Sequence, residues 1–414
     1  MVKKSILKVI LSRRMLTAFA MGFSAGLPLL LTISLLQAWM TKEGIDLTVI
    51  GLMALVGLPY TLKFVWAPVL DRFRIPYFGR RRGWLLTSQL LLMLSIIGLG
   101  AANPAQHPWL VAFAALCVTY FSASQDIVID AYRREDLDDE ELGLGSSLYV
   151  SGYRIGMWVA GGGGFILADL IPFSMVYLVM ACCMLPGIVT TLLTPEPKAP
   201  YGIPQSMREA VIEPFMEYFS RKGAWWILGF VLLYKLGDTM ASAMTTPLYL
   251  DLGFSMTEIG TVVKTFGAGA IIAGGLIGGV IMIRLGINRS LWVFGVLQAV
   301  STAGFVVLTQ IGSSVPALTI VIAFENLSAG MGTSAYAAFM ASITNKKFTA
   351  TQYALLTSLM GIPRVVASSG TGYMAKYMGW HSFFLFCTLI AIPGMLLLLK
   401  FAPWASKNEA NALA

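Results

Sequence analysis

The sequence predicts an all-α polytopic membrane protein: twelve transmembrane helices in two pseudo-symmetric six-helix halves. Three observations predict it: apolar runs of spanning length, a one-sided distribution of basic residues between them, and an internal repeat. Of the 414 residues, 57% are hydrophobic and only 12% charged, with a mean hydropathy of +0.74. A water-soluble chain of this length cannot hide so much apolar side chain, because much of any folded surface faces water. The runs reach about 20 residues, the length that crosses a bilayer as helix. Helix is required because backbone groups in lipid must be satisfied within their own segment.

The spans fall near 15–40, 48–70, 83–101, 109–132, 143–168, 172–193, 224–250, 257–283, 290–310, 315–343, 350–375 and 381–400. With the N-terminus in the cytoplasm, 22 of the 29 Lys and Arg residues lie on the cytoplasmic side, 2 (Lys42 and Lys376) lie outside and 5 lie within spans. That asymmetry is the positive-inside signature and places both termini in the cytoplasm. The net charge of +8 therefore reports topology and contact with anionic headgroups, and no nucleic-acid partner is expected. The basic start (Lys3, Lys4, Lys8, Arg13, Arg14) precedes an apolar run, Met15 to Met40, that is too long for a signal peptide and reads as the first span. Cys117, Cys182, Cys183 and Cys387 all sit in apolar runs without ligand spacing, so no metal site and no cofactor are expected.

The repeat divides the chain into 1–193, a linker 194–223, and 224–414. "GIDLTVIG" (44–51) aligns with "GFSMTEIG" (253–260), Arg154 with Arg364, and Pro186-Gly187 with Pro393-Gly394, at offsets of 209, 210 and 207. Such a parallel repeat is the arrangement of the major facilitator superfamily. The linker opens with Pro195, Pro197, Pro200 and Pro204; then Met207, Val211, Phe215 and Phe219 recur every fourth residue. That spacing predicts either a short interfacial helix or a solvated connector. The loop "DRFRIPYFGRRRGW" (71–84) resembles the superfamily's Asp-Arg…Gly-Arg-Arg loop, and "RLGINR" (284–289) its weaker second copy. Asp71, Arg72, Arg80, Arg81 and Arg284, with Asp130 near the interface, are the expected cytoplasmic gate.

Nine charges lie well inside spans: Lys63, Asp126, Asp130, Arg154, Lys235, Asp238, Lys264, Glu325 and Arg364. Spans 3, 6, 9 and 12 carry none, as a fold predicts in which every third helix faces lipid. A charge at the bilayer centre costs about 2.5–3.5 kcal/mol on insertion scales, so these residues need a cavity or a partner. Lys235 and Asp238, at i and i+3, share one helix face and suit an internal pair. Five cations imply a substrate with anionic groups; Arg154 and Arg364, one per half, suit carboxylates. The carboxyls of Asp126, Asp238 and Glu325 are the candidates for proton coupling, Asp126 first. Asp126 lies about 9 Å inside the predicted end of span 4, at 1.5 Å per residue.

Glycines in span 5 (Gly152, Gly156, 161–164) and span 8 (Gly274, Gly275, Gly278, Gly279) predict close helix contacts, either sliding between the halves or static. Pro28 in span 1 breaks the helix and predicts backbone carbonyls open to a cavity.

Long stretches then resemble one family, the AmpG muropeptide permeases: "GFSAGLPLLLT", "FGRRRGWLL", "FSASQDIVIDAY", "YKLGD", "FENLSAGMGTSAY" and "ATQYALL", in order over almost the whole chain. The resemblance implies a proton-driven importer of 1,6-anhydro-muropeptides in the bacterial inner membrane. Its substrate, an anionic glycopeptide, agrees with the cation-rich spans. Tyrosines such as Tyr60, Tyr153 and Tyr234 are placed to stack on sugar or simply to fill space. The expected substrate-facing set is Tyr60, Lys63, Gln125, Tyr153, Arg154, Lys235, Lys264, Asn326 and Arg364, in a monomer powered by the proton gradient alone. A carrier of another anionic solute (acetyl-CoA-like, peptide or sugar acid) or an exporter of the same superfamily is the alternative. An enzyme is not expected: His107 and His381 are the only histidines, both at span ends, and no His-Glu-x-x-His occurs.

Overall fold

The computed structural model of the chain describes residues 9–45, 49, 53–197, 206–255, 258–402 and 404, with side chains 54, 207 and 362–369 excepted. Parts of both repeat segments (46–48, 50–51, 256–257), Pro200 and Pro204 lie outside the described residues. Eight helical stretches among the described residues are long and apolar enough to cross a membrane. One of them, Ile259–Ile311, is 53 residues long and covers two predicted spans; Gly286, at φ 77°, breaks it where the loop was expected. Gly379, at φ 74°, likewise separates the last two spans. Both breaks need a left-handed residue, which glycine adopts without steric cost.

The predicted second span is a series of short pieces, Met53–Gly57, Leu58–Leu62, Lys63–Val65 and Ala67–Arg72. Lys63 sits at one of its breaks. The seventh span is also broken: Ala224–Leu233 and Leu236–Asp251 meet at Tyr234 and Lys235. The fourth span, Pro108–Asp136, runs further than predicted. Asp126 is therefore about 15 Å from its end rather than 9 Å, at 1.5 Å per residue.

The chain forms two compact units: Met1–Asp138 with Leu148–Pro214 and Thr344–Ser358, and Asp139–Ser147 with Phe215–Ile343 and Leu359–Ala414. They differ from the chain-order halves in two short segments, each held by its own contacts. Ala350 and Ala354 join a core with Met21, Ala67, Leu85, Ile127 and Tyr132. Gly143 faces Met282, and Gly279 faces Ser147, so the 139–147 segment lies along the eighth span.

Within the first unit, a Cβ on Gly22 or Gly26 would stand 2.1 or 2.0 Å from the carbonyl oxygens of Tyr149 and Tyr153. Gly152 and Gly156 return the contact against Phe19 and Phe23. In the second unit, Gly274 and Gly278 meet Leu327 and Met331 of the tenth span. Gly152 and Gly156 thus line a seam of spans 1 and 5, Gly274 and Gly278 a seam of spans 8 and 10, and Gly279 the contact of span 8 with the 139–147 segment. The internal repeat is structural as well: Gly187 packs on Ser24 of the first span, and its aligned partner Gly394 packs on Leu233 and Tyr234 of the seventh.

Pro28 corrects a second expectation. It leaves the Ser24 carbonyl without its helical donor, and Gln125 supplies one: Nε2 donates to Ser24 O at 3.0 Å, while Ser24 Oγ donates to Gln125 Oε1 at 3.3 Å. The freed carbonyl is sealed, because an unpaired buried acceptor costs about 1–3 kcal/mol.

The linker helix is Met207–Ser220. Its buried positions are Ala210, Pro214 and Tyr218, while Val211, Met216 and Phe219 face outward. The covered stripe is therefore one position off the predicted one. Polar anchors explain the shift: Gln352 Nε2 donates to Pro214 O at 3.1 Å, and Lys347 pairs with Glu209 at 2.7 Å and Glu213 at 3.5 Å. The hydrogen bond to Glu209 raises the Lys347 pKa, so this pairing is fully present below the ordinary lysine pKa and is lost as pH rises past the shifted one.

Candidate functional site

The densest polar cluster lies at the arginine-rich end of the first unit. Arg81, fully buried, donates to Asp71 Oδ1 at 2.7 Å, to Glu135 Oε1 at 2.6 Å and to Thr349 Oγ1 at 2.6 Å. Arg80 adds a bond to Glu135 at 2.9 Å. Asp71 in turn accepts from the amides of Ala350 (3.3 Å) and Thr351 (2.8 Å) and from the Thr351 hydroxyl (2.8 Å). These amides belong to the first turn of Thr349–Ser369, where no helical carbonyl is available. Asp71 is thus a capping carboxylate brought in from another helix, and Arg81 holds it in place.

A second such cap sits beside it. Glu196 accepts from the amides of Arg80 (2.8 Å), Arg81 (2.7 Å) and Arg82 (2.9 Å), the start of the helix Arg81–Ala101. Gly79, at φ 89°, leaves the room: a Cβ there would come within 2.7 Å of the Glu196 carboxyl carbon. Arg82 completes the arrangement by donating to the terminal carbonyls of Thr191 and Leu192. Glu196→Ala is expected to cost about 1–2 kcal/mol of stability, the upper range for a lost N-cap. Glu196→Gln, which keeps an acceptor, should cost less. Melting temperatures of the two purified variants in one detergent check this order.

Deeper in the first unit, Asp126 and Asp130 are buried on the fourth span. Asp130 pairs with Arg133 at 3.2 Å, and Arg133 also donates to the Tyr353 hydroxyl at 2.7 Å and stacks over the Tyr149 ring at 4.3 Å. Asp126 has no such anchor: its Oδ1 is buried and accepts no hydrogen bond among the described residues. Lys63, also buried, interacts electrostatically with both aspartates. Tyr60 donates to Ser122 Oγ at 2.9 Å and lies within electrostatic range of Asp126. Tyr153, half-buried, packs on Tyr149 with centroids 6.2 Å apart. Arg154 is half-buried on the fifth span.

In the second unit, the break in the seventh span sets Lys235 just before a new helix and Asp238 in its first turn. The helix dipole favours a carboxylate there. Lys235 Nζ lies 3.3 Å from Asp238 Oδ2. Asp238 lies within electrostatic range of Glu325 of the tenth span, and Glu325 Oε2 accepts from Ser301 at 2.6 Å.

The structure therefore brings together Asp71, Arg80 and Arg81 in one network; Tyr60, Lys63, Asp126, Asp130 and Tyr153 in a second region; and Lys235, Asp238 and Glu325 in a third. Arg72 stacks on Phe73 instead, and Arg284 is exposed. Gln125 is used in sealing Ser24, Asn326 bonds to Ile322 O of its own helix, and Lys264 is exposed on the helical segment Ile259–Phe266. The Arg364 side chain lies outside the described residues. Sequence reasoning missed Glu135, Glu196, Thr349, Thr351, Tyr353 and Ser301. Glu135 carried the one available signal, an acid directly after Arg133 and Arg134.

The repeated helical bundle is that of a membrane transporter of the major facilitator type. The family model described as Major Facilitator Superfamily matches residues 15–368 and again 232–412. The structure of the proton:xylose symporter XylE, 12% identical, superposes with a TM-score of 0.68 over 97% of this chain and 98% of its own. The anhydromuropeptide permease of Escherichia coli K12 is 44% identical over 382 residues, 92% of this chain and 78% of that one. An uncharacterized protein of Haemophilus influenzae is 42% identical over 99% of both chains. The chain belongs to the AmpG permease family of the major facilitator superfamily and is a multi-pass transporter, not an enzyme.

Proposed function

We propose that this protein imports 1,6-anhydro-muropeptides across the bacterial inner membrane, coupled to protons, by alternating access of its two halves. The observation that carries the substrate is the 44% identity, over 92% of the chain, to a protein named anhydromuropeptide permease. The chemistry agrees: such a ligand bears peptide carboxylates and sugar rings, and the spans of the first unit hold Lys63, Arg154, Tyr60 and Tyr153 while those of the second hold Lys235. Asp126, buried with one oxygen unpartnered among the described residues, is the proposed coupling acid. The arginine-rich ends and both termini face the cytoplasm, and the Asp71–Arg81–Glu135 network acts there as the gate.

The test is uptake of a labelled anhydro-disaccharide tripeptide into proteoliposomes under an imposed inward proton gradient. Accumulation above protein-free vesicles, abolished by a protonophore, is expected. Folded protein that accumulates none of it, but takes up another anionic solute, removes the substrate assignment. Accumulation that the protonophore leaves unchanged removes the coupling.

A further inference from the structure

One short loop carries backbone strain that nothing within the fold offsets. Residues 73–79 join the second span to the third, and an isolated bridge closes them: Ile75 N donates to Gly79 O at 3.3 Å. At the tip Pro76 is followed by Tyr77, whose φ is 68°. That is the pattern of a type II turn, where the second central position favours Gly or Asn because its φ is positive. Among the described residues, Tyr77 is the only one other than glycine with positive φ. A bulky side chain in this region is strained and persists only where something holds it there. The Tyr77 ring draws no support from the protein, since it is fully exposed.

The loop is nevertheless firmly seated. Ile75 packs on Gly83, where a Cβ would come within 2.7 Å of the Ile75 Cβ. Trp84 Nε1 donates to Phe73 O at 2.8 Å. Both anchors belong to the helix Arg81–Ala101, whose exposed face carries Leu91, Leu94 and Ile97. That apolar face is the lipid side of a spanning helix, and Trp84 stands two turns before Leu91, where aromatic residues mark the bilayer interface. The tip thus continues a surface that already meets lipid. It presents Phe73, Tyr77 and Phe78, all exposed, beside Arg72 and Arg74. Arg72 stacks on Phe73 at 5.1 Å, and Arg74 is exposed and forms no ion pair among the described residues. Residues 72–84 include no acid. Glu196, which sits against Gly79, is committed to the amides of Arg80, Arg81 and Arg82.

We propose that the 73–79 loop docks into a leaflet of anionic phospholipid, with Tyr77 and Phe78 among the headgroups and Arg72 and Arg74 on their phosphates. Exposed rings between basic side chains match that layer, which is part apolar and negatively charged. The contact offsets the strain at Tyr77, and it is independent of which solute is transported.

Two measurements on the purified full chain test this. The melting temperature is followed in detergent as phosphatidylglycerol or phosphatidylcholine is added, and hydrogen exchange of a peptide covering 72–84 is compared in nanodiscs of either lipid. Phosphatidylglycerol should raise the wild-type melting temperature more than phosphatidylcholine does, and should slow exchange in the loop severalfold. Tyr77→Gly keeps the turn while removing ring and strain together. It should melt above wild type in lipid-free detergent yet gain less from phosphatidylglycerol. Arg74→Gln should match wild type in detergent and lose part of the same gain. Equal gains in all three proteins, or equal protection in both lipids, overturn the proposal. Protection that follows protein concentration rather than lipid identifies a second copy of the chain as the occupant and overturns it too. Tyr77→Gly melting below wild type in detergent shows that the ring serves the fold itself, with the same consequence.

Discussion

Asp126→Asn is expected to reduce proton-driven accumulation to the level of protein-free vesicles. The substitution keeps the shape of the side chain and an acceptor oxygen, so the helix Pro108–Asp136 is not disturbed. It removes the ability to bind and release a proton. Asp126 is suited to that task because it lacks the partners its neighbours have. Asp130 is tied to Arg133, and Glu135 to Arg80 and Arg81, whereas Asp126 Oδ1 accepts nothing among the described residues. A carboxyl fixed by strong donors is held in its charged form; one facing a single buried lysine can change state as that lysine moves. Counterflow, the exchange of labelled for unlabelled solute without a gradient, separates coupling from folding. Some counterflow should remain in Asp126→Asn. Accumulation equal to wild type would take Asp126 out of the mechanism. Asp126→Glu, which restores a titratable group, should recover part of the accumulation.

Much of this architecture was legible because lipid imposes simple rules. Apolar length and basic asymmetry placed the spans, and the breaks at Gly286 and Gly379 fall in predicted loops. The repeat was legible too: Gly187 and Gly394, aligned by sequence, pack on corresponding helices. What stayed hidden were partners supplied from far along the chain. Pro28 announces an orphaned carbonyl at Ser24, yet nothing local says that Gln125, 101 residues on, will seal it. Glu196 reads as a solvated charge among prolines, because the helix start it caps is 114–116 residues earlier. Thr349 and Thr351 look like ordinary loop hydroxyls until Asp71 and Arg81 are placed against them. The glycine seams were predictable as close contacts but not as to partner, since any small-residue stripe fits several neighbours equally well.

Arg81→Ala is expected to be the most disruptive single change at the arginine-rich end. Among the described residues, Arg81 is the one cation that touches Asp71, Glu135 and Thr349 together. Removing it leaves two buried carboxylates; Arg80 still reaches Glu135, but its bond in that region is to the Asp71 backbone oxygen, not the carboxylate. Deleting one partner of a buried ion pair costs about 3–5 kcal/mol, so the melting temperature should fall by many degrees. The local consequence is more specific. Asp71 would be free to withdraw from the amides of Ala350 and Thr351, and the first turn of Thr349–Ser369 would lose its cap. Hydrogen exchange in a peptide covering 349–354 should then accelerate by about tenfold or more, the change that 1.4 kcal/mol of lost protection produces. The Asp130–Arg133–Tyr353 contacts rest on the same segment, so uptake should fall with it. Asp71→Asn is the milder companion: it keeps acceptors for one amide and the Thr351 hydroxyl while breaking the ion pair, and its exchange rate should lie between wild type and Arg81→Ala. If protection at 349–354 is the same in all three proteins, the cluster is a surface ornament of the fold and not the clasp that holds this segment in the first unit.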